Sequence, residues 1–425
     1  MKKIMMGGVT AKLLVMGAVS GLLLAGLACI RGQLESRQHT YRHAKDEIER
    51  AAGGDFSLAG PYIAVPVTHT WYQETVYSDG SRSKEKQTEE LTEFIAPVKG
   101  TYAAALKSDM RTIGIYSAPV FTGTLGMQAE FMVELPPKQG YEYHLDSAQL
   151  YIRTDRLNLS QHPVFTLNGT AYESDIVTVT GKERIGILCA VAPGRNTFST
   201  DMVLRGAGSF MVTPVAKQTV MSVASDWNSP NFTSCDYLPV VRDISAEGFT
   251  ARWEVPYASA DTSIGFTYVQ PVNLYKQLER AFTYGILFII VPFIVLFLSE
   301  LFAGVSLHPV NYLLSGAACV IFFLLLLAVS EHLPFAAAYV LGACGSSLLV
   351  SLYLAAVTAK LKLGAMMEGV FVLLYAYLFF SLKSEDYAFL MGALFAFCIL
   401  AAVMWCTRKV DWSRIGVRKA PAEAA

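Results

Sequence analysis

Apolar residues along this chain fall into two blocks separated by a long patterned stretch. Residues 13–30 carry no charge and are bounded by Lys12 and Arg31. From residue 282 to 407, apolar runs recur with short polar separators: Ser306-Leu307-His308, Ser330-Glu331-His332-Leu333-Pro334, Lys360-Leu361-Lys362 and Lys383-Ser384-Glu385-Asp386. A helix rises 1.5 Å per residue and the hydrocarbon core is about 30 Å thick, so a spanning helix needs about 20 residues. The runs therefore predict six transmembrane helices, one at 13–30 and five at about 282–302, 309–329, 335–357, 365–381 and 388–405. The first run also resembles a signal peptide, with Gly26-Leu27-Ala28 as a small-x-small site, and Cys29 invites a lipoprotein reading. Its length favours an uncleaved anchor, and the box before a lipidated Cys wants an aliphatic residue where Gly26 stands.

Between the blocks the period changes. Leu34, Tyr41, Ala44 and Ile48 recur at helical spacing, and Gly53-Gly54 supplies a stop. Beyond them come short alternating runs around 62–67, 176–180, 185–188 and 249–255. Asp79-Gly80 and Asn168-Gly169 are hairpin signals. Many short strands at turn spacing predict an antiparallel sandwich or barrel, with one or two β units left open. The expected organisation is an N-terminal transmembrane helix (1–30), a juxtamembrane helix (31–52), a β-rich extracytoplasmic domain (53–281), a five-helix membrane domain (282–407) and a cytoplasmic tail (408–425).

Composition agrees with a membrane protein. Of 425 residues, 53% are hydrophobic and 16% charged, against about 25% charged in soluble domains. A net charge of −1 gives no case for nucleic acid as a partner. Basic residues near span ends decide orientation. Lys2, Lys3 and Lys12, then Lys360 and Lys362, then Arg408, Lys409, Arg414, Arg418 and Lys419 all fall on one side if both termini are cytoplasmic. The opposite side keeps only Lys383 in its short loops. The large domain is exempt by its length and is then periplasmic.

Candidate chemistry is sparse. The chain lacks His-Glu-x-x-His, Gly-x-Ser-x-Gly, a P-loop and paired Cys-x-x-Cys, so no catalytic residue, metal or cofactor is expected. His39 and His43 lie four apart without a third ligand, which suits a solvated helix face. Five of seven cysteines fall in predicted spans or, for Cys406, directly after one; Cys189 and Cys235 face the oxidising side, where a disulfide between them is allowed. Ionisable groups at membrane depth are costly and point to function, though near an interface they cap helices and meet water. By topology Glu300, His308 and Glu368 share the cytoplasmic edge, while Glu331, His332, Glu385 and Asp386 share the outer edge beneath the β domain. The outer group is the leading candidate for a polar cluster that anchors that domain. Pro292 predicts a kink in the second span.

A set of longer motifs adds to this. They are Trp227-Asn228-Ser229-Pro230-Asn231-Phe232 with Leu238-Pro239, Gly248-Phe249-Thr250-Ala251-Arg252-Trp253, Gln270-Pro271-Val272-Asn273-Leu274-Tyr275 and Arg280-Ala281-x-x-Tyr284-Gly285. In the membrane part they are His308-Pro309-Val310-Asn311-Tyr312, Ser330-Glu331-His332, Glu385-Asp386-Tyr387-Ala388 and Arg408-Lys409-Val410-Asp411-Trp412. In these the chain resembles the CreD family of bacterial cell envelope integrity proteins, over nearly its whole length. One departure is the absence of an Asp-x-Arg-Gly element, where Asp146-Ser147-Ala148-Gln149 stands. The resemblance implies a non-enzymatic inner-membrane protein of envelope homeostasis, associated with a two-component regulon, colicin tolerance and β-lactam response. Its partners would be the lipid bilayer and an envelope component or membrane protein. Rival readings are a transporter or channel component, and a sensor or adaptor relaying a periplasmic signal through its short tail.

Overall fold

The structure is a computed structural model that describes residues 9–77, 82–155, 158–256, 262–270, 274–383 and 388–408. It divides into two compact units, residues 41–271 and residues 1–40 with 272–425.

The first unit is β-rich. Its strands begin with β1 (Phe56–Val76), β2 (Arg82–Ile95), β3 (Lys99–Ile113), β4 (Tyr116–Val133), β5 (Tyr141–Tyr143), β6 (Ala148–Thr154), β7 (Val164–Leu167), β8 (Thr170–Glu173) and β9 (Asp175–Val179). They continue with β10 (Lys182–Cys189), β11 (Gly194–Ala207), β12 (Ser209–Thr213), β13 (Gln218–Ser225), β14 (Pro230–Asn231), β15 (Val241–Ser245), β16 (Gly248–Val255) and β17 (Ile264–Tyr268). One sheet runs β14-β17-β12-β1-β6-β10-β9, with β2 and β5 also on β1; the other runs β15-β16-β13-β3-β4-β11-β7-β8. Alternation explains the layers. In β3, Tyr102, Ala104 and Leu106 are buried while their neighbours are exposed, as period 2 requires.

The buried faces of both sheets share one core, from Phe56 and Leu150 in the first sheet to Tyr102, Phe131 and Trp253 in the second. This is a single β unit. Most ladders are antiparallel, but β1 pairs with β12 and β3 with β13 in parallel. Parallel neighbours need long crossovers rather than tight turns, so no turn residue announces them. Asn168 (φ 50°) and Gly169 (φ 84°) form the expected two-residue hairpin turn between β7 and β8. Thr180 (φ 45°) and Gly181 (φ 73°) do the same between β9 and β10, in a turn that a β-branched residue hides from sequence reading. The Asp79-Gly80 signal lies outside the described residues, between Val76 and Arg82, which are ladder partners.

The second unit is helical. Its helices are α1 (Val9–Ala51), α2 (Leu274–Thr283), α3 (Leu287–Ala303), α4 (Pro309–Ser330), α5 (Phe335–Thr358), α6 (Leu361–Lys383) and α7 (Ala388–Thr407); the unit boundary falls within α1, between Thr40 and Tyr41. Among the described residues six segments are long and apolar enough to cross a bilayer, with α2 and α3 counted as one. The helix α1 is unbroken for 43 residues, about 64 Å at 1.5 Å per residue. It ends where Gly53 and Gly54 take positive φ and the Gly54 amide donates to the Glu49 carbonyl at 2.7 Å. The break between α2 and α3 is a run of i→i−3 bonds at Tyr284 and Gly285. Pro292 sits within α3 without ending it.

Trp253 is fully buried, and its indole N–H donates to the Tyr237 carbonyl at 3.0 Å. Trp253→Ala opens a cavity and orphans that carbonyl. It is expected to cost about 3–5 kcal/mol, read as a lowered melting transition of the β signal in the purified full chain. Trp253→Phe should cost less.

Candidate functional site

In the helical unit, polar side chains gather where helices must meet inside lipid. Glu300, at the end of α3, is the best connected. It accepts from Lys12 Nζ of α1 at 2.6 Å, from Tyr312 OH of α4 at 3.1 Å and from the Leu307 amide. Its side chain is 9% exposed and that of Lys12 27%. A carboxylate this buried is tolerable because a cation and two donors replace much of its water shell. Lys12, which sequence reasoning used only as an orientation marker, is thus the partner of Glu300.

Neighbouring His308 does something separate. Its Nδ1 accepts from the Val310 amide at 3.3 Å, capping α4 ahead of Pro309, a first-turn proline. Glu368 has its own partners, accepting from Ser347 at 2.9 Å and from Ser351 at 2.8 Å across the α5–α6 contact. Small residues make this approach close: a Cβ on Gly364 would lie 2.6 Å from the Ser351 carbonyl. Two turns further along α6, the Ser346 and Tyr375 hydroxyls are 2.6 Å apart, and Tyr339 donates to the Tyr375 carbonyl at 2.7 Å. The three cytoplasmic-edge candidates therefore work in two contacts and one cap.

At the opposite end of the bundle, Glu331 ends α4 with its side chain 9% exposed, and its Oε1 lies 3.7 Å from Arg37 Nε of α1. His332 is exposed and its amide closes the turn onto the Val329 carbonyl at 3.0 Å. Glu385 and Asp386 lie outside the described residues. Within its own unit, then, Glu331 fastens α1, through a partner that sequence spacing does not reveal.

The disulfide expectation requires correction, since Cys189 and Cys235 are both free. Cys235 donates to the Gly265 carbonyl on β17 at 2.9 Å, while Cys189 is buried on β10. The sheet order β17-β12-β1-β6-β10 separates them by four strand steps, about 19 Å at 4.8 Å per step. A disulfide needs Cα atoms within about 7 Å. Burial pushes the Cys189 thiol up to about 11, which keeps it protonated and inert.

In the β unit the two polar strands expected to flank Asp79-Gly80 pair as a ribbon, whose length and aromatic base sequence reading did not give. β1 loses β5 as a neighbour after His69, the Thr70 amide still donates to the Gly140 carbonyl at 2.7 Å, and from Trp71↔Gln87 to Val76↔Arg82 β1 pairs with β2 alone. Residues 71–75 are all exposed, as is nearly all of β2. At its base the rings of Trp71, His69 and Tyr141 stack at 4.9 and 4.1 Å, with Lys138 Nζ 5.6 Å from Tyr141. Tyr72 is 67% exposed. The signal was present: from Arg82 to Thr92 one face carries Arg82, Lys84, Lys86 and Glu90 and the other Glu85, Gln87 and Glu89, so neither face can be a core face.

The Glu300 cluster makes a measurable forecast. Glu300→Ala removes the acceptor for Lys12, Tyr312 and Leu307, and should destabilise the purified protein by about 1–3 kcal/mol. Glu300→Gln keeps an acceptor and should lose less. Lys12→Met added to Glu300→Ala should cost little more, the non-additivity of a shared contact.

The chain is 28% identical to the inner membrane protein CreD of Escherichia coli (strain K12) over 421 residues, 94% of this chain and 92% of that protein. Among solved structures, native yeast LTA4 hydrolase aligns with a TM-score of 0.23 and 10% identity, over 42% of this chain and 30% of its own. That likeness is too slight to bear on fold or function. The family described as inner membrane protein CreD matches residues 8–413, and with its six apolar spans this multi-pass membrane protein belongs to the CreD family.

Proposed function

We propose that the chain is a non-enzymatic inner-membrane protein that maintains the bacterial cell envelope. Its termini are cytoplasmic, and its β unit lies in the periplasm, where it binds an envelope component or membrane protein. The observation that carries the partner reading is the ribbon of β1 and β2. A two-stranded ribbon alone is marginally stable in water, and a bare strand edge is a template for pairing. Here one edge of β1 is unpaired beyond Thr70, whose amide donates to the Gly140 carbonyl, beside a stack of aromatic rings. Tyr and Trp with one face packed and one exposed are typical anchors of an interface. Family membership and the sorting of basic residues support the location and orientation. The implied ties to a two-component response, colicin tolerance and β-lactam response belong to the same reading.

Two experiments test it. A reporter fused after Ala425 should be active only as a cytoplasmic enzyme; activity of a periplasmic reporter there overturns the orientation. Trp71→Ala with Tyr72→Ala should leave abundance normal and lower survival of a deletion strain under β-lactam challenge. Full complementation by that double variant would remove the ribbon from the function.

A further inference from the structure

A cleft of about 500 Å³ runs between α3, α6 and α7, within the usual size of ligand sites, about 300–1,000 Å³. Its walls are apolar: Val291, Val295 and Phe302 of α3, Val370 of α6, Phe395 and Ala402 of α7. Ser299 also lines it, but its hydroxyl is spent on the Val295 carbonyl at 2.7 Å. The α3 wall from Val291 to Ala303 is about 18 Å long, close to the depth of one leaflet, about 15 Å.

At one end of the cleft three cations, Lys360, Lys362 and Arg408, lie within three residues of lining residues. The last turn of α3, the first of α6 and the last of α7 meet there, because Ala303, Leu363 and Cys406 all line it. Lys362 precedes Leu363 and is exposed. Arg408 follows Cys406 by two residues and lies over the Trp405 ring at 3.6 Å. Lys360 donates to the carbonyl of Ala303 at 2.8 Å, which uses one of its three donors. The acidic side chains nearest along these helices are engaged, Glu300 with Lys12 and Glu368 with two serines. An apolar slot about one leaflet deep, with Lys360 on its lining residue Ala303 and Lys362 and Arg408 close by in sequence, matches a lipid tail beneath an anionic headgroup.

We infer that the cleft between α3, α6 and α7 binds an anionic phospholipid, one acyl chain lying in the slot and the phosphate held by Lys360, Lys362 and Arg408. Bulk lipid would also fill an apolar crevice, but without preference for its headgroup. A basic side chain at a membrane surface adds about fivefold in affinity for anionic lipid, so the preference should exceed that.

The test is native mass spectrometry of the delipidated full-length protein, titrated with phosphatidylglycerol or phosphatidylcholine of identical chains. Wild type should retain phosphatidylglycerol at least about fivefold better. Lys360→Gln, Lys362→Gln and Arg408→Gln together keep a donor for Ala303 and should abolish the preference while leaving retention of phosphatidylcholine unchanged. Ala402→Trp, which fills the slot, should lose the tight lipid of either kind with circular dichroism unaltered. Equal retention of the two lipids by wild type overturns the inference. So does a preference that survives the triple Gln variant, or undiminished lipid retention by a folded Ala402→Trp protein.

Discussion

Seating α1 against helices that follow it by more than 230 residues is the constraint on which the membrane unit turns. In lipid there is no hydrophobic force to drive one apolar helix onto another, so close packing and polar contacts must do it. Both are present. Leu23 faces Gly316 of α4, and Leu27 faces Gly285 at the α2–α3 break; a Cβ on either glycine would lie within 2.6 Å of a leucine methyl. Lys12 pairs with Glu300 below, and Arg37 with Glu331 above. The two pairs are 25 residues apart on α1, about 37 Å along the axis, a little more than the hydrocarbon core. Each ion pair thus sits near an edge, where water lowers its desolvation cost, while the glycines serve the dry middle.

The same division of labour holds between α5 and α6. Glycine and serine let the backbones approach, and Glu368 and Tyr375 tie them with hydrogen bonds. Much of the motif set that marks the family has a structural purpose of this kind. Trp227, Phe232, Phe249 and Trp253 pack together in or against the β core; His308 caps a helix; Gly285 makes room for a leucine. Such residues explain why the fold is specified, and they say less about what it binds.

What the sequence made legible follows from period and length. Six spans, an extended first helix and a β-rich middle all rest on patterns that local physics imposes, and the Asn168-Gly169 turn was readable because φ above zero selects those residues. Pairings across long separations were not. Nothing local tells Lys12 that its partner is Glu300, or Glu331 that Arg37 lies opposite. The parallel ladders of β1 with β12 and β3 with β13 were hidden for the same reason. The Cys189–Cys235 expectation failed because sequence carries no strand order, and four strand steps separate the two thiols.

The seat of α1 bears on how the protein is made. Chains emerge at about 5–20 residues per second. About 270 residues separate Arg31 from Glu300, so the first helix waits roughly 15 to 55 s in the bilayer before its docking face exists. During that time Lys12 has no carboxylate. A lysine at mid-span would be stranded in hydrocarbon, but one at the end of the run can extend its stem and keep the ammonium in the headgroup layer. Placing the charge at the margin lets the same residue serve first as a waiting anchor and later, once α3 and α4 arrive, as half of an ion pair.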